Sequence, residues 1–125
     1  MVTGVLIDPA AQEVRPVQVE PGDLQSYYEL IGCDIVASVY LGDDGAVVYV
    51  DEEGLAKGPQ HFFLIEGCSQ PLAGRGVMVG TDENGDTIDS PRSVDWVREN
   101  VDFGAPLQAG NILMFIGNKN VREIR

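Results

Sequence analysis

The sequence predicts a single α+β domain built around a mainly antiparallel sheet with two helices, in the order ββαββ, then ββα and a last strand. Three observations support this class. Short β-branched runs come in pairs, turns rich in Gly, Asp and Asn join the pairs, and two segments carry apolar residues at helical spacing. The 125 residues match the size of one ordinary domain. We therefore expect one domain over residues 1–125, with a final strand and a basic tail over residues 110–125.

A hairpin and a helix are predicted to open the chain. Residues 5–7 are a short apolar run, and Val14, Val17 and Val19 form a β-branched segment after a polar turn, which is the pattern of a hairpin. Asp23 is a suitable N-cap for a helix over residues 24–31, whose apolar positions 24, 27, 28 and 31 share one face. Gly32 is expected to end this helix, because glycine adopts a left-handed backbone without steric penalty.

A second hairpin is predicted directly after this helix. Its strands, over residues 35–40 and 46–50, are joined by Gly42-Asp43-Asp44-Gly45, a turn sequence suited to hairpins. The stretch that follows, residues 55–74, is ambiguous. Its apolar run at residues 61–65 fits a short helix and a connecting strand equally well, so both interpretations stay open.

The last third of the chain is predicted to hold a hairpin, a helix and a strand. Residues 77–79 lead into Asp82-Glu83-Asn84-Gly85, where Asn-Gly readily takes two positive φ angles, and Ile88 belongs to the return strand. Ser90 is predicted to cap a helix that has Pro91 in its first position. The apolar face of this helix is expected to consist of Val94, Val97 and Val101. The helix is expected to end at Gly104, Pro106 and Gly110, and residues 112–116 are predicted to form a buried strand after it.

The turn at residues 82–86 also invites comparison with a calcium loop. Asp82, Asn84 and Asp86 imitate its first three ligands. Thr87 stands where that loop requires glycine, however, and Ser93 stands where it requires a bidentate glutamate. We therefore interpret the segment as a surface turn and expect no metal site.

Catalytic and cofactor chemistry are not expected from the reactive side chains. His61 is the single histidine and lies beside two phenylalanines, and neither cysteine has a recognisable nucleophile context. Cys33 and Cys68 lack the CxxC spacing of zinc sites, so reduced, buried thiols are the leading interpretation, with a disulfide or a reactive thiol as the alternatives. We expect a protein without a cofactor that is not an enzyme.

Charge is the most unusual property of the composition. The chain has 20 acidic and 8 basic residues, and residues 1–56 hold eleven acids against one base, Arg15, a formal charge of −10. Such a field repels nucleic acids, whose binding depends on cationic side chains. No apolar run approaches the length of a membrane span, so we expect no membrane partner and a cytoplasmic location. The acids either attract a cationic surface or merely maintain solubility.

Candidate binding residues fall into two groups. The acids at both ends of strand 46–50, together with two tyrosines, could contact a protein partner, although core packing is the alternative for the tyrosines. This group comprises Asp43, Asp44, Asp51, Glu52, Glu53, Tyr28 and Tyr49. The second group is Gly74-Arg75-Gly76, where glycines and a guanidinium could approach a phosphate, or where a strand begins with an exposed arginine.

Several short segments, taken in order, resemble a known family. They are Leu6-Ile7-Asp8-Pro9, Leu24-Gln25, Ile31-Gly32, Asp51-Glu52-Glu53-Gly54, Leu72-Ala73-Gly74 and Val77-Met78-Val79-Gly80. Over about residues 5–100 the chain resembles the family catalogued as domain of unknown function 3846. The resemblance implies an accessory gene of phages, plasmids and other mobile elements, and hence the cytoplasm of a bacterial host. It implies no activity and no catalytic residues.

Two functions of different classes follow from these features. The first is a non-enzymatic accessory protein of a phage or mobile element that binds a cationic surface of a host protein, with counter-defence as a narrower form. The alternative is a protein that binds or sequesters a nucleotide signal, with a phosphate contact near Arg75 and a tyrosine stacked on the base. Oligomer formation is compatible with both.

Overall fold

The computed structural model describes residues 1–54, 60–106 and 113–116. Its elements are β1 (Val2–Asp8), β2 (Glu13–Val19), α1 (Leu24–Ile31), β3 (Val36–Tyr40), β4 (Ala46–Asp51), β5 (Phe62–Ile65), β6 (Leu72–Ala73), β7 (Gly76–Thr81), β8 (Thr87–Ile88), α2 (Val94–Asn100), β9 (Val101–Pro106) and β10 (Leu113–Ile116). The strand pairings of the described residues are antiparallel. The predicted α+β class is confirmed.

The strands form two sheets that pack in layers. Sheet A has the order β2-β1-β7-β4-β3, with β8 added beside β7, and sheet B has the order β10-β9-β5-β6. One face of sheet A packs under α1. The other face packs against sheet B and α2. Since β4 and β7 lie in the middle of sheet A and are buried on both faces, they read as nearly continuous apolar runs.

The first helix forms where the sequence predicts it. The side chain of Asp23 accepts a hydrogen bond from the Gln25 N–H at 3.0 Å, which caps the amino end of α1. Gly32 takes the left-handed conformation, with φ 81°, and ends the helix. Both flanking hairpins are also confirmed, because β1 pairs with β2 and β3 pairs with β4.

The second helix begins and ends at residues other than those predicted. Its N-cap is Ser93, whose hydroxyl accepts a hydrogen bond from the Trp96 N–H at 3.0 Å, and the prediction of Ser90 was wrong. The Ser90 hydroxyl instead takes part in a local turn with Arg92. At the other end Val101 is extended and belongs to β9, opposite Ile65, so its assignment to the helix face was also wrong.

The ambiguous stretch contributes strands where it is described. Residues 62–65 form β5 and residues 72–73 form β6, which resolves that choice in favour of strand. Gly104 and Pro106, predicted to end the second helix, lie within β9. The predicted loop at residues 57–59, Gly110, Ile112 and the basic tail at residues 118–125 lie outside the described residues.

Candidate functional site: an acidic groove at the end of the first helix

A groove of about 290 Å³ lies along the carboxyl end of α1. Its lining residues are Gln25, Tyr28, Glu29, Gly32, Cys33 and Asp34. The backbone shapes it, because the N–H groups of Gly32 and Cys33 both donate to the Tyr28 carbonyl, at 2.7 and 3.1 Å. The chain therefore turns sharply after the helix, and Tyr28, Glu29 and Asp34 line the same groove.

The β3–β4 hairpin adds more negative charge beside this groove. The Glu52 N–H donates to the Ile35 carbonyl at 3.0 Å, so the residues after β4 lie next to those before β3. Asp51 Oδ1 accepts a hydrogen bond from the Glu53 N–H at 2.9 Å, and the side chains of Glu52 and Glu53 are exposed. We call the assembly of Tyr28, Glu29, Asp34, Glu52 and Glu53 the acidic groove.

The acids at the opposite end of β4 are in a different situation. Asp44 forms an ion pair with Arg92, whose Nε and Nη2 donate to the two carboxylate oxygens at 2.9 and 3.2 Å. This hydrogen bonding to Arg92 holds the pKa of the Asp44 carboxyl below its usual range. The same guanidinium lies 4.4 Å from the centre of the Trp96 ring. Asp44 is thus neutralised within the molecule, whereas Asp43 is exposed.

The two tyrosines proposed as partner contacts are placed differently. Tyr28 is half-buried and lines the acidic groove. Tyr49 lies under α1, where its ring centre is 4.5 Å from that of the buried Tyr27. The geometry therefore favours Tyr28 as the aromatic residue available to a partner, while Tyr49 mainly packs the layer between α1 and sheet A.

The tyrosine pair makes the fold sensitive to high pH. Burial, followed by the neighbouring Tyr49, raises the pKa of Tyr27, with the Thr87 side chain acting in the opposite direction. Burial, followed by Tyr40, raises the pKa of Tyr49. Because the folded protein holds these protons more tightly than the unfolded chain, their stabilising effect is complete below pH about 10 and is lost as the pH rises further.

We expect the free energy of unfolding, from urea titrations at constant ionic strength, to fall as the pH is raised above about 10. Phenolate absorbance should also appear at higher pH in the folded than in the unfolded protein. The Tyr27→Phe variant is the control, because it removes one of the two protons and should show a smaller fall. An equal fall in the variant would contradict the assignment to Tyr27.

The predicted phosphate contact lies on the other side of the helix. A cleft of about 220 Å³ is lined by Arg75, His61 and Asp8, among others. Arg75 Nε lies 3.3 Å from the Asp8 carboxylate, and its Nη1 donates to the Leu30 carbonyl at 3.5 Å. Since a carboxylate already neutralises this guanidinium, a phosphate would have to share it with Asp8. The contact stays a prediction, and the geometry favours it less than the acidic groove.

The turn after β7 is held by its own side chain. Asp82 Oδ1 accepts hydrogen bonds from the N–H groups of Asn84 and Asp86, both at 2.9 Å. This is the Asx-turn geometry that stabilises such loops without an ion. Among the residues that the structure describes, no three His, Cys, Asp or Glu side chains group as metal ligands.

Two residues of the acidic groove were not selected from the sequence. Glu29 follows Tyr28 directly, and Asp34 comes two residues after the glycine that ends the helix. The sequence positions of Glu29 and Asp34 indicate this location in part, because acids that flank the end of a helix are close in space to its last turn. The ion pair that neutralises Asp44 could not be predicted from the local sequence, since its partner Arg92 lies 48 positions away.

Comparison with known proteins gives a family and a relative. The family model described as "Domain of unknown function (DUF3846)" matches residues 2–102. The protein described as "Uncharacterized protein y4iR", from Sinorhizobium fredii, is 33% identical over 78 residues, which is 62% of this chain and 48% of that protein. The chain thus spans about half the length of this relative. No solved structure matches. The described part of the chain contains no helix with the length and apolar character to cross a membrane.

Proposed function

The chain belongs to this family of unknown function, and we propose that it is a non-enzymatic accessory protein that binds a cationic surface of another protein. In the full form of the proposal, it is encoded by a phage or other mobile element and acts on a host protein in the bacterial cytoplasm. Inhibition of a host defence protein is the narrower form. The acidic groove is the observation that carries the proposal.

The chemistry of the groove suits a lysine or arginine side chain. A cation that enters it meets the carboxylates of Glu29 and Asp34 and the ring of Tyr28, which attracts positive charge through its π face. Glu52 and Glu53 extend the negative surface beside it. Among the described arginines, Arg75, Arg92 and Arg98 pair with acids elsewhere. These three arginines therefore do not neutralise the groove.

The charge of the whole chain supports the same kind of partner. A formal net charge of −12 accelerates encounter with cationic proteins, while the local arrangement of charges decides which of them stays bound. Solubility alone would be served by acids placed anywhere on the surface. Two acids that line one groove with an aromatic residue, and two more in the turn next to it, form an arrangement that a general solubility role does not require.

Paired charge-neutralising variants test the proposal. The groove variant changes Glu29, Glu52 and Glu53 to Gln and Asp34 to Asn, and the control variant changes Glu13, Glu20 and Glu83 to Gln and Asp86 to Asn. All eight acids are exposed, and both variants lose the same charge. A protein captured from bacterial lysate by the wild type is purified, and its affinity for each form is measured at two salt concentrations.

We expect the groove variant to lose at least tenfold in affinity, the control variant to lose about twofold or less, and wild-type binding to weaken at higher salt. An equal loss in both variants would show that net charge acts without a defined site. Failure to capture any protein whose binding the groove variant weakens would also count against the proposal.

A further inference from the structure

The two edges of sheet A differ in their protection against other strands. The β2 edge carries Glu13, Arg15 and Pro16, and charges and proline are the usual means of blocking strand addition. The β3 edge is Val36-Ala37-Ser38-Val39-Tyr40, without charge, proline or glycine. Tyr40 is 64% exposed. Within residues 1–54, 60–106 and 113–116, no strand pairs with the outer edge of β3, an arrangement that natural proteins normally avoid.

The hydrogen-bond register shows which groups of β3 face outward. The Ile35 carbonyl accepts from the Glu52 N–H, and the Leu41 N–H donates to the Ala46 carbonyl. Because hydrogen-bonded pairs alternate along an antiparallel ladder, the odd-numbered residues of this strand bond to β4. The N–H and C=O groups of Val36, Ser38 and Tyr40 point away from the sheet. They can pair with an extended segment of another chain.

A groove beside this edge provides room for side chains of such a segment. It has a volume of about 320 Å³ and is lined by Val39, Tyr40, Cys68, Gln70 and Leu72, among others. Successive side chains of an added strand point to opposite faces of the sheet, so alternate ones enter the groove. Its walls include the apolar side chains of Val39 and Leu72. Backbone hydrogen bonds would supply affinity, and this groove would supply selectivity.

Negative charge flanks the open edge at both ends. Asp34 and the neighbouring Glu52 lie at the beginning of β3, and Asp43 lies just beyond its end. Pairing between the β3 strands of two copies, centred on Ser38, would place Asp34 of each copy beside the Gly42-Asp43 turn of the other. Like charges would then meet at both ends. The flanking charge therefore selects against a second copy and in favour of a basic partner.

We propose that β3 binds an extended segment of the partner as an additional antiparallel strand, and that this segment has an uncharged, β-branched middle with basic residues at both ends. This inference rests on the proposed function, because it specifies how a cationic partner is recognised. Five paired residues span about 17 Å, which sets the separation between the two basic ends. Because the two strands are antiparallel, the amino-terminal basic end of the segment lies near Asp43, and the carboxyl-terminal basic end lies near Asp34 and Glu52.

Two synthetic peptides of equal charge test this mode of binding. The probe is Lys-Arg-Val-Thr-Val-Thr-Val-Arg-Lys, and its control is Lys-Arg-Pro-Thr-Pro-Thr-Pro-Arg-Lys, whose prolines stand opposite Val36, Ser38 and Tyr40 and cannot donate the backbone hydrogen bonds to them. We expect the probe to bind the full chain at least tenfold more tightly than the control does. It should also slow amide exchange at Ser38 and Tyr40, measured by NMR.

A substitution in the protein, rather than in the peptide, provides a second test. Ser38→Pro removes an outward N–H without removing a bond to β4, and an edge strand accepts proline. It should weaken binding of the probe at least tenfold while its melting temperature stays within about 5 °C of the wild type. If the melting temperature of the variant is lower than this range, the strand-addition inference is tested by the binding of the two peptides to the wild type alone.

Equal binding of the two peptides, or no binding of the probe, would overturn the strand-addition inference. The proposed function would remain if the groove variant still weakened binding of the captured host protein. Conversely, loss of the proposed function would appear as equal effects of the groove and control variants, whatever the peptides do.

Discussion

Replacement of Gly104 by alanine is expected to destabilise the protein by about 3 kcal/mol, which is at the upper end of the cost of overpacking a core. Gly104 lies in β9 opposite Phe62 of β5, and the aromatic ring covers the glycine. A Cβ atom at this position would overlap the ring carbons of Phe62. Because Phe62 is 1% exposed, the ring cannot move aside without disturbing the side chains packed around it.

A double-mutant cycle with Phe62→Leu tests this explanation. The smaller side chain should relieve the overlap, so Gly104→Ala should cost at least 1 kcal/mol less in the Phe62→Leu background than in the wild type. Free energies of unfolding from urea titration provide the comparison. If the two substitutions were additive, the cost of Gly104→Ala would have to come from something other than contact with this ring.

Replacement of Gly45 by alanine should cost more than replacement of Gly85, although both glycines have nearly the same positive φ angle. Their φ angles are 84° and 83°, and both residues belong to turns of hairpins. A Cβ at Gly45 would lie 2.5 Å from the Thr81 carbonyl oxygen, whereas a Cβ at Gly85 would meet no atom within 4 Å. Gly45→Ala therefore adds a backbone clash to the conformational strain that both variants share.

We expect about 1 kcal/mol of destabilisation for Gly85→Ala, which is the ordinary strain of a left-handed alanine. Gly45→Ala should cost about 3 kcal/mol, because neither the turn nor the end of β7 can retreat while Thr81 N–H remains bonded to the Gly45 carbonyl. Thermal and urea unfolding of the two variants decide the matter. Equal costs would mean that the turn moves away from β7 at little expense.

Local features of the fold could be predicted from the sequence because local chemistry determines them. The N-cap at Asp23, the glycine stop at Gly32 and the turn at Gly45 depend on neighbouring residues alone. The cap of α2 was misplaced because Ser90 and Ser93 are both good caps. Only the extended backbone of Ser93 and its bond to Trp96 distinguish them.

Long-range features could not be predicted in this way. Val101 has the helical spacing from Val97, yet it pairs with Ile65, and no local signal reports a strand partner so distant. The acidic groove was predicted in part, since Tyr28, Glu52 and Glu53 were selected from the sequence. That Glu52 and Glu53 lie in a turn next to the groove follows from the bond between the Glu52 N–H and the Ile35 carbonyl, which periodicity does not specify.

The position of β7 in sheet A has a consequence for how the chain folds during synthesis. β7 lies between β1 and β4, and Val5 and Val48 both pair with Met78. The two earlier hairpins therefore have no common neighbour until β7 leaves the ribosome, and each exposes an apolar edge in the meantime. The nascent chain is most vulnerable to aggregation before β7 has left the ribosome, and the release of this one strand ends that period.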